Sequence, residues 1–477
     1  MERILSVEQI RFADHYNINV LGVCEKDLIQ RAGKSVADEI KRRFRGGRVL
    51  VCIGKGNNGE DGKIIAQELS KTHGFSVNTL TVSNGIFKIF DKKFDIIVDC
   101  IFGTGLNREV EGKYKTAIEK INNSGAFIIS CDIPSGLNGD SGKVQGVAVK
   151  ANLTIAIQEL KLGYFLGDGK DYCGEVVAKD IGISVWEENC VKRFSSPSLK
   201  DFFPKKPANS NKGWFGKVAI IGGCIDYTGS IILSSNALVA LKMGIGYANM
   251  VVPKSLFTSY VGKVPECLLT PINDVDGYAD FDEKTLSGLL DYNCIAIGVG
   301  AGISQGVYKN ICYLLRNYNG TLVIDADGLN CLAKFGVDVL VDKKCKVILT
   351  PHVGEFSRLT NLAKNEILDN CIDLAKDFAK KYGVILLLKN AVSVITNGNE
   401  VYLNTTGTPA MAKAGSGDVL TGIISGISAR NQDVFMSTVA SAYLFGKAGE
   451  IATKEQNEYT VTASDIISVL YKAMPSF

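Results

Sequence analysis

The residues best equipped for chemistry stand in a short glycine-rich stretch near the end of the chain. In MAKAGSGDVLTGIISGI, Gly415, Ser416 and Gly417 run directly into Asp418. Residues this small let backbone N–H groups converge on an anion, and the adjacent carboxylate can take a proton from a hydroxyl attacking a phosphoryl group. A plain helix cap would also use Asp here. What argues for chemistry is the series of similar segments ahead of it: GKVAIIGGCIDYTGS, AIGVGAGIS, VIDADGLN, LTPHVGEFSRL and LLKNAVSVI. His352, one of three histidines, stands three residues before Glu355, between Pro351 and Gly354.

The first half carries its own set. VCIGKGNNGEDGKIIAQEL holds Gly54, Gly56, Gly59 and Gly62 around Asn57, Asn58 and Asp61. Glycines at a strand-to-helix turn permit close approach of a phosphate, whose charge the helix N-terminus favours. IIVDCIFGTGLNREVEG and IISCDIPSGLNGDSG place Asp99 and Asp132 at the ends of apolar runs, each followed by a glycine turn. One such Asp is most simply a turn or cap residue. Several at one sheet edge point to a site, because a buried carboxylate needs a cation or donors.

The elements that must hold these turns are buried parallel strands joined by helices, an α/β class. In the first half the runs are Arg48 to Ile53, Phe94 to Asp99 and Ala126 to Asp132, with both Asp residues expected as the last of their strands. In an open parallel sheet the carboxyl ends line one edge, where ligands bind. Between Cys190 and Gly213 the composition turns to Lys, Ser and Pro without periodicity, which sets two domains at 1–205 and 206–477. The alternation then resumes with strands at Lys217 to Ile221, Ile295 to Ile297, Thr321 to Ile324, Val347 to Thr350 and Val384 to Leu388. Helical spacing marks Ile231 to Met243 and Val419 to Ile427.

Composition excludes several classes of function. Lys plus Arg at 53 against Asp plus Glu at 50 leaves +3 with no basic block, so nucleic acid is not the expected partner. Thirteen cysteines, many in apolar runs and without metal-ligand spacing, read as reduced structural thiols. No run reaches membrane-spanning length and the start carries charges throughout, so no membrane contact and a cytoplasmic location are expected.

GKGNNGEDG, DCIFGTGLNREVEG and DIPSGLNGDSG resemble the signature turns of the NAD(P)H-hydrate epimerases, over roughly residues 1–200. That resemblance implies a Rossmann-like αβα sandwich. It further implies that Asn57, Asn58, Gly59, Glu60, Asp61, Gly103, Thr104, Gly105, Leu106, Asn107, Arg108 and Glu109 contact the hydrated nucleotide. Asp132 would lie beside the reacting ring, and Asn58, Asp99 and Ser135 would hold potassium. Glu60 stands where the family usually has glycine, a carboxylate expected to repel a phosphate mildly.

From about residue 206 the chain is similar to the ADP- or ATP-dependent NAD(P)H-hydrate dehydratases, a ribokinase-like αβα branch. By that likeness Lys389, Asn390, Ala391, Val392, Ser393 and Gly417 contact the adenine nucleotide, and Ser230, Gly302, His352 and Asp418 face the hydrate. Asp325 and Glu355 are candidates for organising magnesium. Ala410, Lys413 and Ala414 replace the glycines and small hydroxyl residue usual in relatives. The implied substrates are the hydrates of NADH and NADPH with ADP or ATP, and the implied assembly is a homo-oligomer. Two alternatives are a ribokinase-like small-molecule kinase, such as a hydroxyethylthiazole kinase relative, fused to a dinucleotide-binding domain, and a nucleotide-sensing scaffold that has lost catalysis.

Overall fold

The computed structural model describes residues 2–85, 87–185, 190–194, 196–205, 208–240 and 245–475. It divides into two compact units, Glu2–Val191 and Lys192–Phe477.

In the first unit six strands form one parallel sheet, in the order Phe75–Thr81, Gly47–Ile53, Ile96–Cys100, Phe127–Cys131, Leu153–Ile157 and Glu175–Lys179. Alternation along the strands sends Val49, Val51 and Ile53 to one face, against Val36, Ile40, Ile65 and Leu69 of the helices Glu25–Arg43 and Asn57–Ser70. Leu50 and Cys52 face the other way, onto Ala117, Ile118 and Ile121 of Gly112–Asn122. Both faces are covered, which is why these strands read as continuous apolar runs. The chain leaves Gly47–Ile53 for a neighbour on one side and later returns on the other. The turns after Ile53 and Cys100 therefore open at a topological switch point, the usual ligand crevice of such sheets. A further parallel pair, Glu2–Leu5 with Leu160–Lys161, registers Ile4 to Leu160 and Leu5 to Lys161.

The expected strand ends shift slightly. Asp99 is the penultimate residue of its strand, while Asp132 lies just beyond Cys131 with φ 63°, a left-handed conformation that cannot continue a strand.

The second unit has a parallel sheet in the order Cys267–Ile272, Tyr247–Pro253, Lys217–Ile221, Cys294–Ile297, Thr321–Ile324, Lys346–Leu349 and Ile385–Leu388. Ser393–Thr396 and Val401–Asn404 extend it antiparallel, and Lys192 and Arg193 pair beside Tyr402 and Leu403. Helix Ser416–Ser428 is buried along nearly its whole length against Thr228–Ala240 and Val434–Glu455. The helix expected from Ile231 to Met243 begins at Thr228 and is described to Ala240; its last residues lie outside the described residues.

The packing boundary at Val191 precedes the 205/206 junction read from composition. Phe194, Leu199 and Phe203 explain the difference: they are buried in the second unit's core, so this Lys- and Pro-rich stretch packs rather than links. All thirteen cysteines are free thiols. Among the described residues no helix is long and apolar enough to cross a membrane.

Candidate active sites

In the first unit, Gly54 and Gly59 bring two turns into contact. A Cβ on Gly54 would stand 1.9 Å from the Ile101 carbonyl, and one on Gly59 would stand 2.4 Å from the Gly54 carbonyl. Only glycine allows the strand-end turns to touch. Behind them lies a cavity of about 750 Å³. Asn57, Asn58, Asp61, Gly103 to Arg108 and Asp132 line it; Gly59, Glu60 and Glu109 do not. Glu60 turns aside to pair with Lys63 at 2.6 Å, so its expected repulsion of a phosphate is met by a neighbouring ammonium.

Asn58, Asp99 and Ser135 come together around the Phe102 backbone. Asn58 Nδ2 donates to the Phe102 carbonyl at 2.8 Å, and the Phe102 N–H donates to Ser135 Oγ at 2.8 Å. Ser135 Oγ donates to Asp99 Oδ1 at 2.6 Å, while Asp99 Oδ2 accepts from the Ser135 N–H and from Ser130 Oγ. Burial pushes the Asp99 carboxyl above its usual range, against the hydrogen bonds that lower it. Asn58 Oδ1 is buried without a partner. An orphaned amide oxygen beside a carbonyl, a hydroxyl and a carboxylate is the donor set of a hard cation.

Asp132 forms an ion pair with the buried Lys161, and its Oδ1 also accepts from the Ile157 N–H at 3.1 Å. Lys161 Nζ donates in addition to the Ile157 carbonyl at 2.8 Å, and the Tyr164 hydroxyl donates to the Asp132 carbonyl. Asp14 reaches the same cavity from helix Val7–Asn19, which Ser6 and Gln9 close with a capping box. Sequence reasoning missed Lys161 and Asp14. Neither lies in a glycine turn, and both arrive through the Glu2–Leu5 and Leu160–Lys161 pairing.

In the second unit Gly415 adopts φ 89° and opens helix Ser416–Ser428. A Cβ on Gly417 would lie 3.4 Å from Lys389 Nζ and 3.9 Å from Asp325 Oδ2, so the turn rests directly on that pair. Lys389 Nζ meets Asp325 Oδ1 at 2.9 Å, and Thr421 Oγ1 donates to Asp325 Oδ2 at 2.6 Å. With both oxygens engaged, Asp325 orients Lys389 beneath the turn. Burial, then the nearby Asp325 charge, push Asp418 up to about 6, opposed by a hydrogen bond with Ser230 and by Lys389.

His352 caps helix Val353–Thr360: its Nδ1 accepts from the Gly354 and Glu355 N–H groups at 2.9 and 3.2 Å, and Glu355 Oε2 accepts from the His352 N–H at 2.8 Å. The proton of the neutral ring is thereby assigned to Nε2, on a side chain that is half-exposed. Burial lowers the His352 pKa and raises that of Glu355 to about 7. A bridge between His352 and Lys389 and the Lys389 N–H to Pro351 carbonyl bond of 2.7 Å bring the two strand ends together.

Gly302 has φ 73° and donates its N–H to Asp327 Oδ2 at 2.9 Å, with no room for a Cβ against the Tyr278 ring. Asn390, Ala391 and Val392 form the turn before Ser393; Asn390 and Ala391 are exposed, whereas the Val392 side chain is buried. Lys413 donates to the Tyr459 and Val461 carbonyls at 2.6 and 2.7 Å, so this departure from the usual motif ties the glycine turn to the loop before Ala463–Ala473.

Known proteins place these features in context. A family model described as NAD(P)H-hydrate dehydratase matches residues 218–472, and one described as YjeF-related protein N-terminus matches residues 25–88 and 80–163. A bifunctional NAD(P)H-hydrate repair enzyme of Dictyoglomus turgidum is 34% identical over 93% of this chain and 92% of its own length. The crystal structure of an ADP/ATP-dependent NAD(P)H-hydrate dehydratase from Bacillus subtilis, obtained with ATP and magnesium, aligns at a TM-score of 0.51 and 26% identity. It covers 59% of this chain and 97% of that one. A ribokinase-like superfamily protein from Enterococcus faecalis shares the fold at a TM-score of 0.52, with 24% identity over 60% of this chain and 95% of its own. The two family matches and the near full-length likeness establish that this chain belongs to the bifunctional NAD(P)H-hydrate repair enzymes.

Proposed function

We propose that the chain restores hydrated NADH and NADPH, epimerising the hydrate in an N-terminal domain (1–205) and dehydrating its S form with ADP or ATP in a C-terminal domain (206–477). The observation that carries this reading is Asp418, hydrogen-bonded to Ser230 and set beside the Gly415–Gly417 turn over Lys389.

In the hydrate the hydroxyl sits on a ring carbon next to nitrogen. Hydroxide leaves poorly. Asp418 takes the hydroxyl proton as its oxygen attacks the terminal phosphoryl group, whose charge the N–H groups of the turn and Lys389 stabilise. The nitrogen lone pair then breaks the carbon–oxygen bond, phosphate leaves, and loss of a proton from the adjacent carbon restores the dihydronicotinamide. Ser230, Gly302 and His352 hold the hydrate. Residues 389–393 and Gly417 hold the nucleotide. Magnesium belongs to this reading as the companion of the phosphates; among the described residues no group of three acidic, cysteine or histidine side chains forms a site for it.

In the first domain Asn57 to Asp61 and Gly103 to Glu109 hold the hydrate, with Asp132 moving the proton as water leaves and returns through a planar intermediate. Asn58, Asp99 and Ser135 suit potassium, which would place a fixed positive charge beside that ring; the orphaned Asn58 oxygen supports this. A homo-oligomer in the cytoplasm completes the reading; the exposed apolar side chains Ile225, Tyr227, Val275 and Ile303 of the second unit support the assembly.

The test is a pair of variants on mixed epimers. Asp418→Asn is expected to bind nucleotide and dehydrate nothing, and Asp132→Ala to dehydrate one epimer only. Substantial dehydration by the first, or consumption of both epimers by the second beyond spontaneous interconversion, would refute the roles. A stable phosphorylated product would instead identify a kinase.

A further inference from the structure

Epimerisation by loss and return of water needs two proton positions: one to protonate the departing hydroxyl, another to accept a proton from the water that adds. Asp132 is ion-paired with Lys161 and is suited to accept. Asp61, the fifth residue of helix Asn57–Ser70, lines the same cavity and is 7% exposed. Among the described residues it has no hydrogen-bond donor or cation of its own. Arg11, Lys55 and Arg108 also line the cavity, but none pairs with it, and the acidic groups Asp14, Glu60 and Asp132 lie near enough to disfavour its charge. A carboxyl buried in this way is held as the neutral acid. Two carboxyls in one cavity, one ion-paired and one unpaired, divide naturally into base and acid.

Resting on the epimerase reading above, we propose that Asp61 is a catalytic residue of the first domain, the proton donor to the departing hydroxyl, with Asp132 the acceptor from the incoming water. The carbon–oxygen bond breaks with its electron pair on oxygen, the Asp61 proton makes that oxygen water, and the ring nitrogen lone pair forms the carbon–nitrogen double bond. Water then adds to the carbon, the double-bond pair returns to nitrogen, and the surplus proton passes to Asp132. One turnover leaves Asp61 ionised and Asp132 protonated, which is the arrangement the reverse conversion needs. Both directions are served by one pair.

The experiment uses the full chain with potassium and without nucleotide, following separated NADH-hydrate epimers by chromatography. Asp61→Asn is expected to slow interconversion roughly 100-fold or more, the scale of a lost general acid, whereas Glu68→Gln, which pairs with Lys71 beside the same helix and does not line the cavity, stays within a few-fold of wild type. As a measure independent of the variant's folding, the wild-type rate is expected to fall as pH rises through about 8, where burial and the neighbouring carboxylates place Asp61. Interconversion by Asp61→Asn at the wild-type rate, an equal loss in Glu68→Gln, or a wild-type rate that holds steady from neutral to alkaline pH overturns the assignment. If wild type itself does not exceed the buffer rate, the epimerase reading fails as well, so the two failures are distinguishable.

Discussion

Removing Asp325 should destabilise the second unit far more than its lack of substrate contact would imply. Its carboxylate is 1% exposed, and its two oxygens meet Lys389 at 2.9 Å and Thr421 at 2.6 Å. In Asp325→Ala the lysine stays beneath the Gly417 turn without its main counter-charge. Breaking one side of a buried pair costs roughly 3–5 kcal/mol. At about 2–4 °C per kcal/mol for a unit of this size, the transition should fall by about 6–20 °C. Asp325→Asn keeps an oxygen for the lysine and loses only the charge-assisted part, about 1.5–3 kcal/mol. Calorimetry of the full chain measures both shifts. The double variant Asp325→Ala with Lys389→Met removes both partners and should recover at least half of the loss. An Asp325→Ala protein melting within a degree of wild type, or a double variant less stable than the single one, would refute this account of the pair.

Other outcomes follow from the same geometry. For dehydration, Asp418 must be ionised, and with its pKa raised to about 6 the activity is present above that pH and lost below it. The profile of kcat/KM should therefore fall about tenfold per pH unit on the acid side, and a profile flat from neutral pH down through about 5 would refute the role of Asp418. Gly54→Ala puts a carbon 1.9 Å from the Ile101 carbonyl, so epimerisation should be lost while dehydration of the S hydrate continues. Lys413→Met breaks two bonds to the Tyr459 and Val461 carbonyls, which should lower the melting temperature by a few degrees and leave nucleotide KM within about threefold.

Much of this was legible before any coordinates. Apolar runs ending in glycine turns located the strands beneath both sites, because strands covered on both faces show little polar interruption. That the turns carrying Asn58, Asp99 and Ser135 meet in one crevice was readable for the same reason, since parallel strand ends share an edge; the grouping of these three residues as cation ligands came from the resemblance to the epimerases. The strand Phe75–Thr81 escaped, since an edge strand with one well-buried side chain, Leu80, reads as polar sequence. Lys161 and Asp14 escaped because their roles depend on the register of Leu5 with Lys161, a pairing across the length of the unit that no local pattern encodes. Lys413 illustrates the converse. A departure from the motif looked like a threat to the phosphate site, but the side chain turns to backbone carbonyls of another loop. The packing division falls at 191, ahead of the compositional junction at 205, because sparse aromatic residues in a polar stretch, Phe194 and Phe203, bury in the second unit's core.

The most direct measurement is the dihydronicotinamide absorbance after adding the full chain to mixed NADH-hydrate epimers, with and without ADP or ATP. No recovery is expected without nucleotide. With nucleotide, recovery should be complete and run past the S fraction faster than spontaneous interconversion permits. Recovery that stops at the S fraction would contradict the first site, and nucleotide consumed into a stable phosphate ester without absorbance would contradict the second.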